Sequence, residues 1–439
     1  MKYRKNMEDR VDIWKEIFEK VRKTPFIDTH EHLSEESDRL SISPEKDSWI
    51  SMMGPYFSDD LISAGLDEQG RAKLLDTELS LHERWAVVEP LWGAVRNTAY
   101  AKALEFSVKE LYGIDEISFS TIDQIQEKYL EFRKEGFYKE AFSSRYAHIE
   151  SCQVNSLDGA PFRESEQPEL LMQDLSIVPM FAREEVVLGL SIEKFSEPAN
   201  ISVQSIDDWY KVIDWYFVQY GEKAVAVKSQ NAYNRDLDYD PVAKESAAPL
   251  FLKRIKKEEM SEEEMKALEN HLFGYTVGKA TEYNLPVKLH TGYFAGFNGM
   301  PMARVARNPG DMSNLCMNFP NTRFVFMHMT YPYESELLAL TKHHRGAVAD
   351  MCWAWIIDPV AAQNFLKRYL VTAPLNKILT FGGDHSYVEC TIGHAAIARR
   401  GIARALTELV QEEWFTLEEA LAVVEPIMCG NAKEIFHID

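Results

Sequence analysis

Downstream of residue 145, short apolar segments alternate with longer stretches in which apolar residues recur at helical spacing. The apolar segments are bounded by Gly, Pro or polar residues, which is typical of parallel strands buried on both faces. Strands are expected at Ala147–Cys152, Ser176–Ala182, Ala224–Lys228, Pro286–His290, Arg323–His328, Gly346–Met351 and Lys377–Gly382. Helices are expected at Ile206–Gln219, Ser261–Glu282, Glu334–His343, Pro359–Leu370 and Thr391–Gln411.

An eighth strand is expected near the start of the chain. The apolar segment Pro25–Thr29 follows an amphipathic stretch that predicts a helix at Glu8–Lys23. Strands and helices that alternate eight times are typical of an α/β protein with a (β/α)8 TIM barrel. A doubly wound open sheet is the alternative, but no Gly-rich phosphate loop follows the first strand.

The segment from about residue 33 to residue 144 departs from this alternation. Its apolar residues follow helical spacing, and Gly54, Gly65 and Gly113 punctuate it. A bare barrel needs roughly 250 residues, and the chain has 439. We therefore expect residues 1–439 to form a single TIM-barrel domain in which residues 33–144 are a helical insertion after strand 1. Insertions at this end of a barrel strand lie over the active-site mouth, so a lid is expected.

Composition and charge exclude some classes of binding partner. The 48 Lys and Arg residues against 69 Asp and Glu residues give a formal charge of −21. A surface this acidic repels phosphate backbones and anionic lipids, so we expect a small-molecule substrate and neither nucleic acid nor membrane as partner. The five scattered cysteines form no CxxC pair, charges among the first residues lead us to expect no signal peptide, and no apolar run reaches about 20 residues. These features indicate a cytoplasmic protein.

A pair of histidines stands where the first strand is expected to end. Side chains at alternate positions of an extended chain face the same way, so His30 and His32 are expected to project together. Two imidazoles at this spacing can occupy adjacent positions on one metal ion. A solvated loop with two chance histidines is the alternative.

Three further strand ends favour the metal site. His290, His328 and Asp384 lie at the predicted ends of the fifth, sixth and last strands, and the chain has only 12 histidines. In a barrel these ends converge on one mouth. Imidazole and carboxylate ligands suit Zn²⁺, with Mn²⁺ or Fe²⁺ as alternatives.

These motifs together resemble the amidohydrolase superfamily of metal-dependent (β/α)8 enzymes. FIDTHEHL, GGDH and the insertion segment RNTAYAKALEFSVKELYG are similar to the amidohydrolase-2 branch, which includes uronate isomerase-like proteins. VAVKSQNAYNRDLDYD, LHTGY and HMTYPY also resemble proteins related to nodulin and the amidohydrolase half of glutamine synthetase-like fusions. Barrels of this kind often associate, so a homo-oligomer is a further expectation.

The resemblance implies a set of metal ligands and catalytic groups. His30, His32 and Asp384 would be ligands and His290 a fourth, while His328 would bind either the metal or the substrate. A metal held this way generates hydroxide from water near neutral pH, and Asp384 would serve as the general base. His290 and His328 are the other expected catalytic residues. Asp28 either supports a ligand histidine from behind or is a solvated carboxylate.

Other polar residues at strand ends and on the insertion are candidates for substrate binding. Lys228 would bind a substrate carboxylate or pair with a buried acid, with a carboxylated metal bridge as the third alternative. The remaining candidates are Arg183, Tyr233, Arg235, Arg96, Tyr100 and Tyr387. Together they favour a carboxylated or polyhydroxylated substrate, although surface ion pairs and packed rings would explain each one separately.

The expected function is metal-dependent hydrolysis of an amide, ester or lactone by an activated water. A uronate (aldose–ketose) isomerase or a decarboxylase on the same metal site is the alternative, because Lewis acidity serves all three reactions. A structural or regulatory metal site without catalysis is a third interpretation. Structural zinc sites usually saturate four ligands with Cys and His, which the present His and Asp residues do not do.

Overall fold

A computed structural model describes residues 2–156, 160–183, 191–296 and 299–438. The strands are β1 (Phe26–Glu31), β2 (Ile149–Val154), β3 (Leu171–Gln173), β4 (Leu175–Ser176), β5 (Val227–Ser229), β6 (Val287–Leu289), β7 (Phe324–Phe326), β8 (Ala347–Asp350) and β9 (Ile378–Leu379). The helices of the first part of the chain are α1 (Lys2–Lys23), α2 (Glu36–Ser41), α3 (Phe57–Ser63), α4 (Glu68–Leu75), α5 (Leu81–Val95), α6 (Ala99–Tyr112), α7 (Ile122–Glu131) and α8 (Phe137–Phe142). The later helices are α9 (Val178–Phe181), α10 (Ile192–Ser196), α11 (Ile206–Tyr220), α12 (Lys244–Ile255), α13 (Glu262–Glu282), α14 (Met302–Val305), α15 (Asn308–Asn318), α16 (Glu334–His343), α17 (Ala354–Ile357), α18 (Pro359–Leu370), α19 (Val388–Gln411), α20 (Leu417–Ala422) and α21 (Asn431–Phe436).

Helix starts with a clear capping signal were well predicted. Ser261 accepts a hydrogen bond from the backbone of Glu264, which returns one through its side chain, so α13 begins with a capping box. Asp358 accepts from the first backbone amides of α18, whose first residue is Pro359. Helices α16 and α18 match their predicted bounds.

One predicted strand is wrong over most of its length. Of Ser176–Ala182, only Ser176 belongs to a strand, and Val178–Phe181 forms the short helix α9. Pro179 lies in the first turn of α9, where its missing amide costs no hydrogen bond and its fixed φ suits a helix. The segment is apolar because α9 is buried, and burial alone does not separate a short strand from a buried helix.

The chain divides into two compact units. Unit 1 comprises Met1–Cys152, Phe294–Gly299 and Met351–Asn431, and unit 2 comprises Gln153–Tyr293, Met300–Asp350 and Ala432–Asp439. The single-domain interpretation of residues 1–439 stays a prediction. Among the described residues, no helix combines the length and the apolar character that a membrane crossing requires.

Unit 2 contains a sheet in which β4, β5, β6, β7 and β8 lie side by side in chain order, each parallel to the next. Val287 of β6, for example, pairs with Val227 of β5 and with Phe324 of β7. All three side chains are buried, as expected for parallel strands covered on both faces. The carboxyl ends of these strands therefore share one edge of the sheet.

Unit 1 contains β1, the first four residues of β2 and the helices between the two strands, which confirm a helical insertion after the first strand. Helix α6 of the insertion packs closely on α19. At Gly393 of α19, a Cβ atom would lie 1.8 Å from the carbonyl oxygen of Ala103, so only glycine permits this approach. Farther along α19, the buried Arg399 donates to the carbonyls of Val21 and Thr24, just before β1.

Candidate metal centre

The two histidines of the HxH motif lie at the end of β1, in a segment called here the His loop (residues 30–32). The Nε2 atoms of His30 and His32 are 3.3 Å apart, and the two rings are nearly perpendicular. His30 is fully buried, and the side chain of His32 is 15% exposed. Both imidazoles therefore project to one side of the chain, as predicted.

Asp384 reaches the same place from the segment after β9, called here the Asp loop (residues 382–385). Its Oδ1 atom lies 3.4 Å from His30 Nε2 and 3.2 Å from His32 Nε2. The Asp384 amide donates to the His30 carbonyl at 2.8 Å, and the His32 amide donates to the His385 carbonyl at 2.9 Å. Backbone hydrogen bonds thus join the two loops, and they bring the three donor atoms together.

The spacing of these donors fits a small divalent cation. Atoms bound to one zinc ion at about 2.0–2.2 Å in tetrahedral geometry lie roughly 3.3–3.6 Å from one another. The three distances among His30 Nε2, His32 Nε2 and Asp384 Oδ1 are 3.2 to 3.4 Å. Two imidazoles and one carboxylate leave at least one coordination position for water or substrate, which is typical of a catalytic rather than a structural site.

Two buried carboxylates support the loops from behind. Asp28 Oδ1 accepts from the amides of His30 and Gly383, so it supports the backbone on both sides of the centre. Glu31 accepts from the His385 amide at 2.5 Å, and burial raises the pKa of Glu31 well above its usual range, helped by the charge of Asp28. A Cβ atom on Gly383 would lie 1.9 Å from Glu31 Oε1, which explains the glycine before Asp384.

Sequence reasoning did not identify Glu31 as part of this site. Its position between two histidines and the paired glycines before Asp384 are the signals that could have found it. His385 was also left unassigned. The Nε2 atom of His385 lies 3.2 Å from Nδ1 of His394. Burial lowers the pKa of His385 to about 4, so its ring is neutral at pH 7.

Aromatic residues of the insertion pack against the Asp loop within unit 1. The Tyr56 hydroxyl donates to the Asp384 carbonyl, and its ring lies 4.7 Å from that of Trp353 and 5.7 Å from that of Tyr100. Tyr100 and Tyr387 line the same pocket as Tyr56 and His385. The two predicted substrate-binding tyrosines of unit 1 therefore lie beside the candidate centre, whereas no sequence signal singled out Tyr56.

Arg96 is placed differently from these tyrosines. Its side chain is 39% exposed at the end of α5, where it forms ion pairs with Glu105 at 3.7 Å and Glu116 at 3.6 Å. These carboxylates compensate its charge. Its substrate-binding role stays a prediction.

Within unit 2, His290, His328 and Tyr233 lie together at the carboxyl ends of neighbouring strands. His328 Nε2 is 2.9 Å from His290 Nδ1, His290 Nε2 is 2.8 Å from the Tyr293 carbonyl, and the Tyr233 ring lies 4.5 Å from the His290 ring. A carbonyl only accepts, so His290 Nε2 donates to Tyr293 and Nδ1 faces His328. Binding a metal through His290 requires one of these contacts to be released, and its assignment as a fourth ligand stays a prediction.

Two of the predicted cationic residues of unit 2 have carboxylate partners, and the third is buried in the sheet. Arg183 and Arg235 both pair with the buried Glu269, at 3.1 Å and 2.9 Å, and Arg183 also pairs with Glu262 at 3.2 Å. Lys228 lies at the centre of β5, where it is 2% exposed and stands in register with neighbouring residues on β4 and β6. The ion pairs and the burial are consistent with structural roles for these three residues. Their roles in substrate binding stay predictions.

Comparison with known proteins was made by sequence and by structure. A family model described as Amidohydrolase matches residues 259–438. Protein fluG from Emericella nidulans is 24% identical over 162 residues, which make up 37% of this chain. The match spans only 18% of the length of that curated relative.

Two solved structures are similar over almost the whole chain. A uronate isomerase from Thermotoga maritima has a TM-score of 0.74 at 15% identity, covering 97% of this chain and 97% of that chain. A glucuronate isomerase from Caulobacter crescentus has a TM-score of 0.75 at 16% identity, covering 98% of this chain and 95% of that chain. At such identities the likeness shows the fold alone, and it confirms the predicted α/β class. Closure of the strands into a (β/α)8 barrel stays a prediction.

Proposed function

We propose that the chain is an amidohydrolase-superfamily enzyme, and specifically a metal-dependent hydrolase of a small carboxylated or polyhydroxylated amide, ester or lactone. The observation behind the proposal is the convergence of His30, His32 and Asp384 in unit 1, with donor atoms 3.2 to 3.4 Å apart. Zn²⁺ is the proposed metal, with Mn²⁺ or Fe²⁺ as alternatives.

Each residue of the centre has a distinct proposed task. His30 and His32 would hold a divalent cation, which when bound supplies Lewis acidity toward a carbonyl group or a water molecule. Asp384 would complete the ligand set and accept the proton released during attack on the substrate. The Tyr56 hydroxyl holds the main chain of Asp384, which fixes the carboxylate toward the two imidazoles.

A second candidate function is aldose–ketose isomerisation of a uronate. The observation that favours it is the likeness to uronate and glucuronate isomerases along 97–98% of this chain. The same residues suit this reaction, because Asp384 would move a proton between adjacent carbons, and a cation held by His30 and His32 would supply Lewis acidity toward the carbonyl and hydroxyl oxygens. A decarboxylase would use the site in a similar way.

The experiment that separates these functions compares product masses. The full chain, loaded with Zn²⁺ or Mn²⁺, is incubated with D-glucuronate and D-galacturonate and, separately, with their lactones. A hydrolase yields from a lactone a product that is heavier by one water. Formation of a ketose of unchanged mass from a free uronate contradicts the hydrolase proposal and supports the second candidate.

Two carboxamide variants test the proposed base. Asp384→Asn should abolish turnover in either reaction, because the amide accepts no proton at neutral pH. Asp358→Asn is the matched control, since Asp358 caps α18 and asparagine caps a helix as well as aspartate does. Turnover that survives in Asp384→Asn would show that another group is the base.

A further inference from the structure

We infer that the ion pair between Arg39 and Glu389 is a positioning device that fixes the spacing of the metal ligands, an inference that rests on the proposed metal site. Arg39 lies on α2, seven residues after His32, and Glu389 lies in the first turn of α19, five residues after Asp384. Arg39 Nη2 donates to Glu389 Oε1. The pair therefore joins the chain that leaves the His loop to the chain that leaves the Asp loop.

Burial makes this pair rigid. The Glu389 side chain is completely buried, and that of Arg39 is 9% exposed. The guanidinium group also lies 5.2 Å from the centre of the Tyr129 ring and 5.4 Å from that of Phe137. Because separating two buried charges leaves each without compensation, the two helices are held at one distance rather than over a range.

Helix α2 is anchored at other points of the insertion as well. The Glu36 carboxylate accepts from the amides of Gly136 and Tyr138, both at 2.8 Å, at the start of α8. Arg133 donates to the Leu40 carbonyl at 2.8 Å. Arg39 therefore presents its charge to Glu389 from a helix that is fixed in the surrounding structure.

The ion pair and the backbone hydrogen bonds join the same two segments of chain at two places, one beside the centre and one several residues beyond it. At one side, the Asp384 amide bonds the His30 carbonyl and the His32 amide bonds the His385 carbonyl. At the other side, Arg39 bonds Glu389. Without the ion pair, α2 and the start of α19 lose the direct bond that joins them, while the backbone bonds between the two loops remain. Since the donor atoms must stay close to their present spacing to bind one ion, a looser connection between the two segments should weaken metal binding.

The test measures metal affinity in the absence of substrate. Chelator-treated full-length protein is titrated with Zn²⁺ in competition with a chromophoric chelator, and thermal stability is recorded in parallel. Arg39→Met should raise the Kd for Zn²⁺ by about tenfold or more, the effect typical of residues behind the ligands. Arg39→Met combined with Glu389→Leu should weaken binding no further than the single change, because the two residues act as one contact.

Arg399→Met is the matched control. Arg399 is as deeply buried as Arg39 and lies on the same helix as Glu389, but it bonds carbonyls before β1 rather than the chain after the ligand loops. It should lower thermal stability and leave the Kd within about twofold of the unchanged protein. If Arg39→Met does not fold, Glu389→Asp keeps the charge, shortens the contact and should weaken binding by a smaller factor.

Three results would overturn the inference or its premise, and they are distinguishable. A Kd unchanged in folded Arg39→Met, or in Glu389→Asp where that variant replaces it, shows that the pair stabilises the fold without positioning the ligands. An equal loss of affinity in Arg39→Met and Arg399→Met shows that general destabilisation weakens the site. Failure of the unchanged protein to bind Zn²⁺ or Mn²⁺ contradicts the proposed function itself.

Discussion

Single residues of the candidate site adopt backbone conformations that are costly. Asp384 and His328 have φ values of 62° and 61°, in the left-handed region that non-glycine residues seldom occupy. Such strain persists only where the surrounding contacts impose it, and it concentrates at functional positions. Both residues were predicted from the sequence as site residues, which agrees with a functional origin of the strain.

At this scale the sequence predicted what local spacing encodes and missed what long-range contact creates. His30 and His32 are two residues apart, so alternation along a strand was sufficient to place them together. Asp384 was found because it ends a predicted strand. The contacts of Glu31 with His385 and of Tyr56 with Asp384 join positions more than 300 residues apart, which spacing along the chain does not reveal.

The first prediction at the residue scale concerns metal binding. His32→Ala removes one of three converging donors and should raise the Kd for Zn²⁺ by at least roughly 100-fold, since even changes behind the ligands cost 10- to 100-fold. His82→Ala is the control, because His82 is half-exposed on the insertion and pairs with Asp123. Competition with a chromophoric chelator measures both. Equal affinities in the two variants would remove His32 from the ligand set.

The second prediction concerns pH and Asp311 in unit 2. Burial, followed by the charge of Asp236, raises the pKa of Asp311 to about 6. The folded state thus holds this proton more tightly than the unfolded chain, whose aspartate pKa is about 3.9. The stability associated with the protonated group is complete at low pH and is lost as pH rises from about 4 through 6.

Asp311→Asn should therefore stabilise the protein above pH 6. The amide oxygen can still accept from the Leu237 amide, as the carboxylate does at 3.1 Å. The expected gain at pH 8 is on the order of 1 kcal/mol. Thermal melts at pH 8 and pH 5 measure the gain, which should shrink at pH 5. Asp12→Asn, at an exposed position of α1, is the control.

Elements were predictable where their ends had capping residues and less so where only apolar character was available. The predicted starts of α13 and α18 coincide with Ser261 and Asp358, whose side chains satisfy the first helical amides. The segment Val178–Phe181 was predicted as strand because it is apolar throughout, yet it forms a helix. Short buried elements have no exposed face, so the period of polar residues that separates helix from strand is missing.

Substitutions at two separate glycines, Gly393 and Gly93, test how closely helices α6 and α19 pack. Gly393→Ala would place a methyl group against the Ala103 carbonyl and the Ser107 hydroxyl, forcing α6 away from α19. We expect a loss of about 3 kcal/mol or more, toward the upper range for overpacking because the obstacle is backbone. Gly93→Ala is the control, since an added Cβ on this exposed position of α5 meets no atom within 4 Å. It should stabilise by up to about 1 kcal/mol through helix propensity. Denaturant titration would contradict this account if both changes had the same effect.

For the whole molecule, the alternation of strands and helices was sufficient to predict the α/β fold class, and the long insertion was recognised by its different period. Substrate identity was not predictable, because the insertion and loop residues that would select a substrate are placed by tertiary contacts. Arg183 and Arg235 illustrate the difficulty. Their positions after predicted strands favoured an anion-binding role. In the structure both guanidinium groups pair instead with Glu269 of helix α13, which is distant from them in sequence.

Calorimetry with and without metal tests the single-domain prediction together with the metal site. A ligand that binds only the folded state stabilises it by about 2.7 kcal/mol at 100 times its Kd. If residues 1–439 unfold as one domain, Zn²⁺ should move a single transition upward by a few degrees, because unfolding of a chain this long has a large entropy. His32→Ala should melt at the same temperature with and without Zn²⁺. Two separate transitions, of which only one responds to the metal, would show that units 1 and 2 unfold independently and that the single-domain prediction is wrong.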